Sequence, residues 1–164
     1  MTRQEFTKYV EGIYKATRGL IQLTPENKFN YKPMDGVFTV DQVIKHSTSS
    51  LGSMASMCIH NSWPKMSQED MLPSAEKSPR VASIKEAIEE IDKDWQQMKD
   101  ELGNITDDEF NVKMTHAPWM PGPVPIAELM MLSLEHLSNH RYQLFIWLKL
   151  SGEKLNTMHL YGMS

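Results

Sequence analysis

Residues 124–152 read VPIAELMMLSLEHLSNHRYQLFIWLKLSG, and this stretch decides the fold. On a helical wheel Leu129, Leu132, His136, His140, Gln143 and Trp147 fall within about 60° of one line, a helical period with no trace of strand alternation. Proline suits a first helical position, so the helix is expected to start at Val124 or Pro125 and to end at Leu150, before Ser151-Gly152. It is the most apolar segment of the chain, on nearly all sides.

Three further segments carry the same period. The first runs from Thr2 to Leu23, with Phe6, Tyr9, Val10, Ile13, Leu20 and Ile21 at helical spacing and Pro25 beyond its end. The second starts at Thr39, where Gln42 completes a Thr-x-x-Gln capping box, and continues through Val43, Ile44, Leu51, Met54 and Met57 to an end between His60 and Trp63, ahead of Pro64. The third spans Pro79 to Leu102, stopped by Gly103-Asn104. With no convincing strand, no repeat and no interdomain linker, residues 1–164 are read as a single all-α domain, a four-helix bundle.

The connections Thr24–Phe38, Asn61–Ser78 and Asn104–Pro123 exceed the roughly 2–8 residues of an ordinary helical hairpin. Their segments PMDGVF, SWPKM and HAPWMPGPVP suit covering a cavity, which makes them candidate lids.

Composition narrows the function. The 164 residues hold 17 Lys+Arg against 21 Asp+Glu, a net charge of −4, with no basic cluster to track phosphates or anionic lipid. Nucleic acid and membrane surfaces are therefore not expected partners. The start MTRQEFTKYVEGIYK lacks the apolar run of a secretory signal, and no stretch reaches membrane-spanning length. The single cysteine, Cys58, has no internal disulfide partner, and a cytoplasmic location is expected.

Chemistry concentrates on the six histidines. His136 and His140, four apart on the last helix, stack on one face at metal-chelating spacing. The wheel places both in the middle of the inward stripe, where two imidazoles side by side are desolvated and repel when protonated. A shared cation relieves both penalties. The third ligand has to come from another helix, and His46, three residues after Val43, is the best candidate. Cys58 is a poor one, about 18 Å further along a continuous helix and about 120° around it; it reads as a small buried hydrophobe. His60, His116 and His159 read as solvent or loop residues, and His116, beside Trp119, is the one that could approach a substrate. Arg141 points about 120° off the stripe, toward an ion pair with a neighbouring helix. Glu135 is also off-axis. Met34, Phe38, Met54, Met57, Trp119 and Trp147 read as core before pocket lining.

The string HLSNHRYQLFIWLKLSG resembles the H-x-x-x-H-R-x-Q-L signature of the DinB/YfiT-like metalloenzyme family, and FNYKPMDGVFTVDQVIKH resembles its upstream Tyr/Trp-x-Pro, glycine turn, capped helix and histidine. The resemblance covers nearly the whole chain. It implies an up-down-down-up four-helix bundle and a divalent metal, nickel or zinc, held by His46, His136 and His140. Many relatives read H-H-R-G-Q where this chain has Asn139-His140-Arg141-Tyr142-Gln143. The first histidine of that doublet is not a ligand, so Asn139 leaves the site intact, whereas Tyr142 alters packing or dimer contacts.

Three neutral imidazoles leave an ion its full double charge and typically an open fourth position, able to acidify a water, polarise a carbonyl or bind a thiolate. Some relatives are transferases or isomerases using low-molecular-weight thiols such as bacillithiol or mycothiol. Two readings follow: a metal-dependent enzyme, hydrolase or thiol-dependent S-transferase, acting on a small molecule; or a stress-related dimeric binding protein whose metal is structural or absent. Relatives commonly dimerise, and the all-round apolar last helix fits a homodimer.

Overall fold

The computed structural model of the chain describes residues 1–65 and 74–163. Helix α1, Arg3–Gln22, starts at Thr2, whose hydroxyl accepts the backbone N–H of Glu5 while the Glu5 carboxylate accepts the N–H of Thr2. This reciprocal cap satisfies two donors that a helix start otherwise leaves unpaired. Phe6, Val10, Leu20 and Ile21 are fully buried on its inner face, each contributing about 1.5–3 kcal/mol by leaving water.

The second periodic segment is two helices, α2, Val40–Ser47, and α3, Gly52–His60. The predicted capping box at Thr39 and Gln42 is present at the start of α2. The expected continuous helix fails at Thr48–Leu51 for two reasons. Ser47, Thr48 and Ser50 turn their hydroxyls back on the carbonyls of Val43, Lys45 and His46, at 2.8, 2.9 and 3.0 Å, which loosens a helix end. The first backbone N–H groups of α3 then go to a carboxylate: buried Asp94 accepts from Leu51 at 2.8 Å and from Ser53 at 3.1 Å. Gly52 makes the joint possible, because a Cβ there would stand 2.3 Å from the Asp94 carbonyl oxygen.

Asp94 lies on α4, Ile84–Gly103. This helix starts later than Pro79: Ser83 accepts the N–H of Glu86 at 3.1 Å and sets the cap, leaving Val81 buried in the non-helical lead-in. Beyond α4 the presumed loop holds a short helix, α5, Asp107–Val112, with a capping box from Thr106 and Glu109. Six residues are too few to hold a helix alone; buried Phe110, 5.3 Å from the Phe6 ring, anchors it. A minimal ladder, β1 Met114–Thr115 antiparallel to β2 Val124–Pro125, corrects the strand-free expectation. Helix α6, Ile126–Leu150, follows with Pro125 as its cap, and α7, Thr157–Leu160, closes the described chain. Of the connection Asn61–Ser78, residues 66–73, including Met66 of SWPKM, lie outside the described residues.

Cross-helix contacts fix the directions. Arg3, at the start of α1, donates to the Leu102 carbonyl near the end of α4, while Arg18 pairs with Asp92, so these helices are antiparallel. Lys45 meets Glu90, Leu51 meets Asp94 and His60 meets Glu101, so α2 and α3 run parallel to α4. Phe38 meets Trp147 and His46 meets His136, so α6 opposes α2. The order is up-down-down-up. Only the link from His60 to Ile84 must return the length of the bundle, roughly 30 Å for twenty helical residues. No helix among the described residues is long and apolar enough to cross a membrane.

Candidate metal centre

Helix α2 is eight residues long, and its start is tied down from outside. The Gln42 side chain donates to the carbonyls of Ala75 and Ser78, and buried Asp41 receives Arg80 at 3.1 Å. The last turn of α2 sets His46 against the middle of α6.

There three imidazoles converge. His46 Nε2 and His136 Nε2 stand 2.9 Å apart. The His140 ring centre lies 4.6 Å from that of His46 and 4.4 Å from that of His136. One nitrogen from each lies within 4.8 Å of the others. Two imidazole nitrogens on one tetrahedral zinc stand roughly 3.3 Å apart at bonds of about 2.0–2.1 Å, so the His46–His136 spacing is within about half an ångström of that requirement. No Asp, Glu or Cys joins the cluster among the described residues. The three histidines can hold a metal ion, with a donor set that is neutral throughout.

Desolvation lowers all three imidazole pKa values from the ordinary 6.5. For His46 the His140 charge adds to it; for His136 both neighbours do, to about 4. At neutral pH the rings are therefore uncharged, which is the form that binds metal. The outer nitrogen of His140, Nδ1, lies 2.8 Å from the amide oxygen of Gln143. Phe38 flanks the cluster, its ring centre 5.7 Å from His46 and 6.5 Å from His140, and Trp147 Nε1–H donates to the Phe38 carbonyl at 2.9 Å.

The structure corrects where the histidines sit. His46 and His136 are exposed and His140 is half-buried, so the stripe is the margin of the inward face and not its centre. Ser133, Leu137, Leu144 and Leu148 occupy the buried side. A helix apolar all round gives the wheel no contrast from which to find its inner line. Of the candidate lids, PMDGVF reaches the rings through Phe38. HAPWMPGPVP meets SWPKM instead, with the Trp63 and Trp119 rings 5.2 Å apart. A concavity of about 490 Å³ lies along α4, lined by Lys93, Gln96, Gln97, Asp100, Glu101 and Asn104, and none of the three histidines lines it.

The other singled-out residues stand apart from the cluster. His60 pairs with Glu101, His116 contacts the Met120 carbonyl, and His159 contacts Asn156. Cys58 is buried, its thiol pushed up to about 12 by desolvation. Among the described residues Arg141 makes no ion pair, contrary to expectation. Its Nε is buried without a hydrogen-bond partner among the described residues, and its guanidinium lies 5.9 Å from the Tyr161 ring. Met34 and Trp119 are exposed instead of core. Gln143 stands on the quoted stripe without a role and Trp147 reads there as core; their spacing from His140, three and seven residues, is the signal that places both beside the site.

The sequence model of the DinB superfamily matches residues 3–144. The chain belongs to the DinB superfamily. A DinB-like protein from Bacillus cereus shares its fold with a TM-score of 0.73 at 15% identity, over 92% of this chain and 93% of that one. A protein described as a DinB-family member from Exiguobacterium sibiricum gives 0.69 at 19% identity, over 97% and 99%. A DinB-like protein from Bacillus subtilis gives 0.69 at 14%, over 94% and 97%. Comparison with curated proteins finds no match. At these identities the DinB likeness to solved structures carries the bundle and not an activity.

Proposed function

We propose that this DinB-superfamily chain is a metal-dependent enzyme, in which His46, His136 and His140 hold nickel or zinc and leave a coordination position for a small-molecule substrate. The observation that carries the reading is the convergence of three neutral imidazoles, from two helices, without a fourth protein donor among the described residues. A structural zinc site is typically closed by four ligands, whereas three plus an open position is the catalytic pattern. Bound there, the ion would supply Lewis acidity, an acidified water or a thiolate site. The chain supplies uncharged donors, the Gln143 contact to His140 and the Phe38 ring beside the site.

Hydrolysis and thiol-dependent S-transfer are the two reactions this donor set suits, the second with a low-molecular-weight thiol as partner. The reading places the protein in the cytoplasm, which an unpaired Cys58 suits, and takes residues 1–164 as one domain. Metal analysis of protein purified without a histidine tag, then activity screening with and without thiols, tests it. Stoichiometric metal with thiol-dependent or hydrolytic turnover is the expected result, and absence of bound metal overturns it.

A second reading rests on the surface. Met131, Leu132 and Tyr142 on α6 and Tyr9 on α1 are exposed, more apolar area than one bundle needs. That favours a homodimeric, stress-related binding protein in which a metal is structural or absent. Light scattering at micromolar concentration separates a dimer from a monomer, and a dimer without metal or turnover would favour this reading.

A further inference from the structure

The residues of α6 at positions 136, 140, 143 and 147 share one face, and only the first two are donors in the proposed centre. We propose that Gln143 is the positioning residue that makes His140 the fixed corner of the site, an inference that rests on the metal-centre reading above. The Gln143 amide oxygen, 2.8 Å from His140 Nδ1, is an acceptor only, so Nδ1 carries the ring proton and Nε2 keeps its lone pair. A reversed amide would donate to Nδ1, place the proton on Nε2 and close that nitrogen to a metal.

The other side of the same ring is supported as well. Phe38 stacks on His140 at an interplanar angle of 27°, and its carbonyl is held by Trp147, one turn beyond Gln143. His136 has neither support, and His46 has the Phe38 ring at 5.7 Å but no anchoring hydrogen bond: among the described residues the two side chains hydrogen-bond each other alone. His140 is thus oriented by a hydrogen bond from outside the cluster before any ion arrives, whereas the other two rings hydrogen-bond only within it among the described residues. The choice of an amide over a carboxylate has a consequence too. It orients the imidazole without adding negative charge, so the site stays neutral and an ion in it keeps its full double charge.

The test uses the full chain, with zinc as the probe, in the wild type, Gln143→Ala and Gln143→Glu. Calorimetric titration is expected to show a 10–100-fold loss of zinc affinity in Gln143→Ala, and recovery to the wild-type value or tighter in Gln143→Glu, which restores an acceptor. Nitrogen-15 spectra of the metal-free proteins are expected to show His140 protonated on Nδ1 in the wild type and shifted toward Nε2 in Gln143→Ala. A residue that merely packs would not move the tautomer. Zinc affinity in Gln143→Ala within twofold of the wild type, or His140 protonated on Nε2 in the wild type, overturns the proposal. If the wild type itself binds no zinc, the metal-centre reading fails, and the tautomer still decides whether Gln143 orients the ring. Should Gln143→Ala not fold, Gln143→Glu and Trp147→Phe keep the question open to measurement. Trp147→Phe is expected to weaken zinc binding without shifting the tautomer, and a His140 proton moved from Nδ1 toward Nε2 in Trp147→Phe, or one absent from Nδ1 in Gln143→Glu, would overturn the assignment.

Discussion

The Nε2 atoms of His46 and His136 are 2.9 Å apart although they are 90 residues apart in sequence. Two lone pairs at that distance repel, so one nitrogen carries a proton that the other accepts. The same two nitrogens are the donors the proposed centre needs. The contact therefore has to be exchanged for bonds to an ion.

Replacing His46, His136 or His140 by alanine is expected to lower nickel and zinc affinity by at least about a hundredfold, beyond the 10–100-fold of residues that only support a ligand. His60→Ala and His159→Ala are expected to bind as the wild type does, since Glu101 and Asn156 occupy those rings elsewhere. Metal at a hundred times Kd stabilises the folded state by mass action, by about 2.7 kcal/mol, and so raises the melting temperature. The three variants should lose that increment. Equal affinity after His46→Ala would remove this residue from the site.

The pH dependence has a definite sign. The three imidazoles hold folded-state pKa values below the ordinary 6.5, His136 at about 4, so between those limits the unfolded chain binds more protons than the folded one. The metal-free protein is expected to lose stability as pH falls from about 6.5 toward 4 and to lose no more on this account below that range. Metal affinity falls over the same range, because protons compete for the donors, but starting at lower pH than for free imidazole. Melting curves across that range, with His136→Ala as the comparison, read it directly; a flat profile in the wild type would contradict it.

Gly52→Ala is expected to destabilise the bundle by about 1–3 kcal/mol, the usual range for forcing a methyl into a packed contact. Here the obstacle is backbone, the Asp94 carbonyl oxygen at 2.3 Å, which does not yield as a side chain would. Asp94→Ala is expected to cost about as much, since it leaves the N–H groups of Leu51 and Ser53 without their acceptor. Chemical denaturation measures both. Stability within about 0.5 kcal/mol of the wild type, the usual bound for neutral surface changes, would show that the joint is not held this way.

Arg141→Met is expected to leave stability unchanged or raise it by about 1 kcal/mol. The Arg141 Nε is buried with no hydrogen-bond partner among the described residues, and removing it relieves that desolvation, while the Tyr161 ring contact being lost is worth about 0.5–1 kcal/mol. Burial already holds the Arg141 pKa below its ordinary value, which marks the desolvation. A clear loss of stability on denaturation would assign the guanidinium a partner role.

Much of this was readable from residues near in sequence. Thr39 and Gln42 announced the start of α2, Ser151-Gly152 the end of α6, and the four-residue spacing of His136 and His140 their common face. What escaped was set at long range. The break at Thr48–Leu51 depends on Asp94, 43 residues beyond Leu51, and neither segment alone reveals it. The exposure of the histidine face escaped because apolar residues stand on nearly all sides of α6. Helix α5 was a local omission, since Thr106 and Glu109 form the same capping pattern found at Thr39.

His46 joins the histidine pair of α6 only after the chain has closed a loop of about ninety residues. A closure of that length is entropically costly and belongs late in folding, whereas His136 and His140 come together as soon as one helix forms. An ion held by all three therefore recognises a state already past most of the folding barrier. Its hold shows in the rate of coming apart: metal should slow unfolding in proportion to its affinity while leaving refolding nearly unchanged. The bundle would then be a kinetic lock as well as a scaffold, with the ion as the bolt and α2 as the part that must swing away.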